Sequence, residues 1–369
     1  MGAADRAEEA LLSFLRGLDW ITLALVGVLS SLGLLALYSA SFSFKGGGLH
    51  VFLRQLVWFG VGFIFYLLSS RVEHRRLVHL SGLFYVVLLS LLALVLAFGR
   101  VSGGSSRWLS LGPVNLQPSE LGKVVLPLVL AAFWEKRDPR GLVDLSASVL
   151  LVALPASLVL LQPDLGTALV YAFIWLCVTF ARGIPIRYLA LLFGGGLASL
   201  PVLWRFVLKE YQKRRILVFL DPYVDPLGAG YNVIQARIAV GSGGLWGKGF
   251  MEGTQSKLRF LPEPHTDFIF SVFAEEFGFF PSALVVVLFF LLLLRLLWVA
   301  DGARDGFGKL LVVGIFSFLL LQFFENIAMT MGLAPVTGIT LPFFSYGGSA
   351  LLTVFMSLGL VESVRRGSV

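Results

Sequence analysis

Residues 261–281 read LPEPHTDFIFSVFAEEFGFFP, and within a few residues the chain becomes almost continuous hydrocarbon. Glu263, His265, Asp267, Glu275 and Glu276 therefore stand at the mouth of an apolar run. Ionisable groups there are expensive and point to function by default. A carboxylate in such a place can take the proton of an attacking hydroxyl, because a low-dielectric setting brings its proton affinity toward the working pH. A lysine, an arginine or an oxygen-bound Mg²⁺ or Mn²⁺ ion beside it can stabilise an anionic leaving group.

Three more stretches are polar in the same unusual way. SSRWLSLGPVNLQPSELGK (105–123) contains Arg107, Glu120 and Lys123, LQPDLGT (161–167) contains Asp164, and APVTGITLPFFSYGGSA (334–350) contains Ser345. Each has a plainer reading beside the chemical one. Asp267 can cap a helix starting at Phe268, and Ser119 after Pro118 and Asp164 after Pro163 fit the same role. Glu120 and Lys123 are three residues apart and can pair on one helix face. His265 reads equally as an ordinary loop histidine. Glu275 and Glu276 resist the capping reading, because they fall about two turns inside an expected span. A water-filled cavity would accommodate them there.

Other chemistries find little support. No Ser-His-Asp arrangement or HExxH motif is present, and four histidines make a His-rich metal site a poor reading. The stretch GSGGLWGKGF (241–250) fails the P-loop pattern, with Ser242 and Gly249 at two required positions, and Trp246 spoils GxGxxG. A backbone-amide nest for a phosphate stays open, and close packing of the loop is the simpler alternative.

The elements that must position these residues are membrane helices. The chain is 57% hydrophobic and 14% charged, against about 25% charged in a soluble domain. Its one cysteine, Cys177, lies in an apolar run and leaves no room for an internal disulfide. About ten spans of membrane length are expected, at 20–40, 51–69, 77–98, 118–134, 143–161, 165–181, 187–204, 268–299, 308–329 and 345–362. The expected fold is thus an all-α polytopic membrane protein, with residues 1–369 forming one integral domain.

Lys and Arg set the orientation. With the N-terminus in the cytoplasm, the inner segments hold Arg6, Arg16, Arg71, Arg75, Arg76, Lys136, Arg137, Arg140, Arg182, Arg187, Arg304, Lys309, Arg365 and Arg366. The short outer loops hold only Lys45, Arg100 and Arg107. Both termini are then cytoplasmic, and all four polar stretches lie at the outer face, where they can converge on one cavity. The long loop 205–266 is basic yet external, which long loops permit. Within it YQKRRILVFL (211–220) reads as a basic amphipathic segment at the interface, and YNVIQARIAV (231–240) has helical spacing.

HTDFIFSVFAEE, QPSELGK, QPDLGT, GSGGLWGKGFMEGTQSKLRFLPEPHTD and LPFFSYGGSALL occur in fixed order among these spans. In this the chain resembles the SEDS family (shape, elongation, division, sporulation) from about residue 20 onward, and its elongation branch more than its division branch. The resemblance implies a peptidoglycan glycosyltransferase that polymerises lipid II at the outer face of the bacterial cytoplasmic membrane. It implies Asp267 as the essential acid, Glu120 and Lys123 as paired charges in a central cavity, and Asp164 as a further acid there. Arg107, His265 and Ser345 are candidate substrate-binding or charge-stabilising residues, with Glu275 and Glu276 in support. The implied partners are lipid II, a class B penicillin-binding protein, other elongation-complex proteins and the bilayer; nucleic acid is not among them. A divalent cation is an open expectation. The rival readings are a lipid II flippase using Glu120, Lys123 and Asp164 at the midplane, and a scaffold that only recruits the transpeptidase. Carboxylates gathered at one face weigh against the flippase.

Overall fold

The computed structural model describes residues 17–42, 48–102, 105–111, 114–139, 141–207 and 210–368. Arg6, Arg16, Lys45 and Arg140 of the charge count lie outside these described residues. In chain order, α1 (Trp20–Phe42), α2 (Leu49–Arg71) and α3 (His74–Phe98) lead to three short strands, β1 (Arg100–Ser102), β2 (Ser105–Leu111) and β3 (Val114–Leu116). Then come α4 (Pro118–Glu135), α5 (Leu142–Leu161), α6 (Leu165–Arg182) and α7 (Ile186–Val202). The long loop folds into α8 (Glu210–Leu220), α9 (Ala229–Ser242) and the single turn α10 (Thr254–Lys257). α11 (Ile269–Phe277), α12 (Phe279–Asp301), α13 (Gly306–Thr330) and α14 (Gly348–Ser368) complete the chain.

Among the described residues eight helices, α1, α2, α3, α5, α6, α12, α13 and α14, are long and apolar enough to cross a bilayer. α4 and α7 occupy the two remaining expected positions. α4 carries Glu120, Lys123 and Glu135, which lowers its apolarity, and α7 has 17 residues. The two helices read in the long loop are present as α8 and α9.

One expected span is not continuous. Residues 268–299 divide at Gly278, whose φ of +78° breaks the helix between α11 and α12. A left-handed residue of this kind is a glycine position. A side chain there would also strike the loop, since a Cβ would lie 2.2 Å from the Gly247 nitrogen. Glu275 and Glu276 accordingly sit in the last turn of a nine-residue helix, not two turns inside a span.

The sheet was not expected from the sequence. β2 pairs with both neighbours in antiparallel fashion, with Leu109 opposite Leu116 and Ser110 opposite Asn115. It brings Arg107 up to the start of α6. The core is built around α13, which is buried along most of its length and packs against α4, α6 and α12. α14 lies along α2. Lipid-facing helices such as α3 instead expose Leu83, Val86 and Leu94, the expected surface where hydrocarbon is the solvent.

Candidate active site

Asp267 precedes α11 but does not cap it. The N-cap is Phe268 and no side chain accepts a capping bond. Freed from that role, the Asp267 carboxylate faces the 334–350 stretch, and a Cβ on Gly338 would lie 3.6 Å from its Oδ2. Burial pushes its pKa up to about 6, and the charge of Glu263 adds to the shift. A bond from the Thr266 hydroxyl and the charges of Arg215 and Arg107 pull the other way. Burial lowers the pKa of the neighbouring His265, with Glu263 opposing, so the imidazole is neutral at pH 7.

The backbone around Asp267 is fixed from the opposite stretch. Ser345 Oγ donates to the Thr266 carbonyl at 2.6 Å and accepts from Leu341 N at 2.8 Å. Both capacities of that hydroxyl are used within the fold, so Ser345 positions the loop. Tyr346 N donates to the His265 carbonyl at 2.9 Å. Asn326 on α13 spreads its amide over two chains, donating to Asp267 O at 3.0 Å and to Ile339 O at 2.8 Å.

Next to Asn326 stands Glu325, which the sequence reading passed over. Its side chain is buried and accepts from the Thr337 hydroxyl. The Thr337 carbonyl in turn accepts from Arg215 of α8 at 3.4 Å. Glu325 is within electrostatic reach of both Asp267 and Arg215. The signal existed in FENIAMT (324–330), a carboxylate inside an apolar span.

The 161–167 stretch closes another side. Gly166 abuts the 334–350 stretch, and a methyl there would lie 2.8 Å from Ile339 Cγ1 and 3.1 Å from Thr337 O. Asp164 does cap α6: it accepts from Thr167 N at 3.2 Å and from the Thr167 hydroxyl at 2.9 Å. Arg107 clamps the turn, donating through Nε to Gln162 O at 3.3 Å and through Nη2 to Pro163 O. Its Nη1 lies 3.8 Å from Asp164 Oδ1. Gln117 ties this corner to α14, with its N–H on Ser349 Oγ at 3.2 Å and its amide on Asp164 Oδ2 at 3.4 Å. All four polar stretches therefore meet.

Glu120 and Lys123 pair with each other, one turn apart on α4. Ser119 does not cap that helix, whose N-cap is Gln117 with no capping side chain. Tyr171 of α6 donates to Ser119 O at 2.6 Å, which locks the start of α4 to its neighbour. Glu275 and Glu276 belong to a different cluster. The fully buried Glu275 accepts from Lys248 Nζ at 2.6 Å, Thr254 N at 2.9 Å and Gln255 N at 3.0 Å. Glu276 accepts from Ser39 of α1. The glycine-rich loop is a packing device here: Lys248 N and Gly249 N donate to the carbonyls of Glu275 and Glu276, each at 3.0 Å. Those amides are committed to carbonyls and form no phosphate nest.

Among the described residues no three His, Cys, Asp or Glu side chains gather as an all-protein metal cluster; Mg²⁺ or Mn²⁺ held by one or two carboxylates together with substrate phosphates needs no such cluster. The arrangement offers one partly buried carboxylate of raised basicity, a second carboxylate beside it, and arginines from β2 and α8. That set can deprotonate a hydroxyl and balance an anion leaving nearby.

A family model described as Cell cycle protein, of FtsW, RodA and SpoVE, matches residues 18–368. MrdB of Escherichia coli strain K12, a peptidoglycan glycosyltransferase, is 40% identical over 334 residues, which cover 89% of this chain and 90% of that protein. A chain of a solved peptidoglycan synthase complex, in which polymerization and crosslinking are structurally coordinated, is 39% identical with a TM-score of 0.82 over 95% of this chain and 98% of its own. The rod shape determining protein RodA of Thermus thermophilus is 35% identical, with a TM-score of 0.71 over 95% and 97% of the two chains.

Proposed function

The chain belongs to the cell cycle protein family of FtsW, RodA and SpoVE, and from that membership we propose how it works as a membrane peptidoglycan glycosyltransferase. Its substrate is lipid II, used both as glycosyl donor and as acceptor, and its product is a glycan strand for cell-wall elongation. One observation carries the mechanism: the uncapped carboxylate of Asp267 lies where four polar segments converge, with Arg107 and Arg215 in electrostatic reach.

The Asp267 carboxylate takes the proton of the acceptor GlcNAc 4-hydroxyl. That oxygen bonds to C1 of the donor MurNAc as the bond from C1 to the pyrophosphate oxygen breaks. The electron pair leaves on undecaprenyl pyrophosphate, and the anomeric centre inverts in one displacement. Arg107 and Arg215 balance the departing charge. Lys123 serves as structural partner to Glu120. Positioned general-base catalysis accounts for roughly 10²–10⁴ in rate.

The protein crosses the bacterial cytoplasmic membrane several times, with both termini inside and the site outside. Basic residues at one end of the bundle, Arg75, Arg76, Lys136 and Arg137 among them, favour this orientation. We take the chain as one integral domain with 205–266 as its large external loop. A class B penicillin-binding protein is the proposed partner, together with other elongation-complex proteins. The similarity to a synthase that couples polymerization to crosslinking supports this.

The test is polymerisation of labelled lipid II by purified protein, with and without the transpeptidase, for wild type and Asp267→Ala at equal thermal stability. Long strands from wild type alone are expected. Equal polymer from both variants would remove Asp267 as base. No polymer under any condition would remove the polymerase reading and favour transport.

A further inference from the structure

We propose that the turn joining α8 to α9, residues 221–228, is a membrane anchor that sinks Leu220, Tyr223, Val224 and Leu227 into the bilayer leaflet beside the site. Its partner is lipid hydrocarbon and not a charged headgroup. The inference goes beyond the glycosyltransferase reading and stands without it.

The sequence DPYVDPLG (221–228) is built to hold one shape. Asp221 accepts from Tyr223 N at 2.9 Å, and Val224 N donates to Asp221 O at 3.2 Å. Asp225 O accepts from Gly228 N at 3.2 Å and from Gly230 N at 3.0 Å. Gly230 is required by close approach, since a Cβ there would lie 2.0 Å from Pro222 O. This fixed turn presents its apolar side chains outward: Leu220 is 72% exposed, Tyr223 71%, Val224 61% and Leu227 91%. Exposed apolar residues taken singly are ordinary, whereas four within eight residues form a patch that marks a contact surface.

Both helices that carry the turn are pinned at the level of the span ends. Arg215 of α8 donates to Thr337 O at 3.4 Å. The Thr337 hydroxyl donates to Glu325, which lies five residues before the end of α13. Gly166, the second residue of α6, abuts the same Thr337 carbonyl. Ala236 of α9 packs with Ala40 in the last turn of α1. Leu220 follows Arg215 by five residues, about 8 Å of helix. The turn therefore stays at the membrane boundary whichever way α8 tilts. Apolar groups at such a boundary sink about 5–10 Å into the leaflet. Trp204 and Phe206, just past the end of α7, are exposed as well, and aromatic residues of this kind settle at a membrane–water interface.

The charges of the segment serve the fold. Lys213, Arg214 and Arg215 are balanced by Glu210, Asp221 and Asp225. Lys213 pairs with Glu210 at 2.8 Å and Arg214 with Asp225 at 3.5 Å, while Arg215 turns to the Thr337 carbonyl. What the segment offers a bilayer is thus apolar. The anchor selects hydrocarbon over anionic lipid, unlike a basic amphipathic segment held by headgroup charge. Its effect is to keep α8, and Arg215 with it, against the 334–350 stretch.

A single probe on the turn tests this. Full-length protein carrying Cys177→Ala and Leu227→Cys is labelled with nitrobenzoxadiazole. It is placed in vesicles of phosphatidylcholine, or of phosphatidylcholine and phosphatidylglycerol in equal parts. The expected result is blue-shifted emission and protection from aqueous iodide, alike in both vesicles and at high salt. Lipids with a nitroxide on the fifth acyl carbon should quench more than lipids with one on the twelfth. Quenching by iodide with none from the lipid nitroxides would overturn the anchor. Insertion confined to anionic vesicles would overturn its apolar character. Protection that appears only when a transpeptidase is added would replace lipid with a protein partner. A label-free arm decides should the cysteine variant fail to fold. With Tyr223→Ser, Val224→Ser and Leu227→Ser combined, hydrogen exchange across 210–228 should quicken severalfold in vesicles while α13 keeps its protection. Unchanged exchange there would also count against the anchor.

Discussion

Lys123 Nζ lies 2.6 Å from Glu120 Oε1, one turn apart on α4, and both side chains are shut away from solvent. Each charge is tolerated there only because of the other, since desolvation costs several kcal/mol per ion. Either single change, Glu120→Ala or Lys123→Ala, should destabilise the protein by about 3–5 kcal/mol. Replacing both with apolar residues of similar volume should restore much of the loss. Melting curves of the two singles and the double variant check this, and a double variant no better than the worse single would refute it.

The base must be ionised to work, and burial raises Asp267 from 3.8 to about 6. Glycan polymerisation should therefore fall away as pH drops through about 6, well above the range of an ordinary aspartate. The check is kcat/KM for lipid II at a series of pH values where wild type stays folded. A rate that holds steady down to pH 5 would remove Asp267 from the acid limb.

Glu275 joins Lys248, Thr254 and Gln255 to the end of α11. Glu275→Ala strands a lysine and two backbone donors, at a cost of about 3 kcal/mol. Hydrogen exchange should accelerate in residues 248–257 while the bundle helices keep their protection. Uniform exchange across the whole chain would show that the cluster holds more than the loop.

Much of this architecture was legible because bilayer thickness imposes long apolar runs that no other requirement produces. The ends of α1, α6 and α13 fall within two residues of where hydropathy puts them. The break at Gly278 was not legible, since one left-handed glycine leaves hydropathy unchanged. The capping alternatives separated only in three dimensions: Asp164 caps α6, whereas Asp267 and Ser119 cap nothing. Glu325 and Arg215 were missed for opposite reasons. One carboxylate is diluted in 25 apolar-rich residues of α13, and one arginine is hidden among the basic residues of α8. The strands of residues 100–116, two of them three residues long, are too short to carry a periodic signal.

The loop clasped across the Gly278 break also decides what travels with what. α11 is fastened to the loop before it through Lys248 N, Gly249 N and the Glu275 side chain, and Phe279 N and Phe280 N at the start of α12 donate to Gly244 O and Leu245 O of the same loop. Residues 244–280 thus form a self-clasped unit that carries Asp267 within it. A chimera that exchanged this unit alone would carry the acid away from Asn326, Ser345 and Tyr346, which fix the backbone around it from outside the unit.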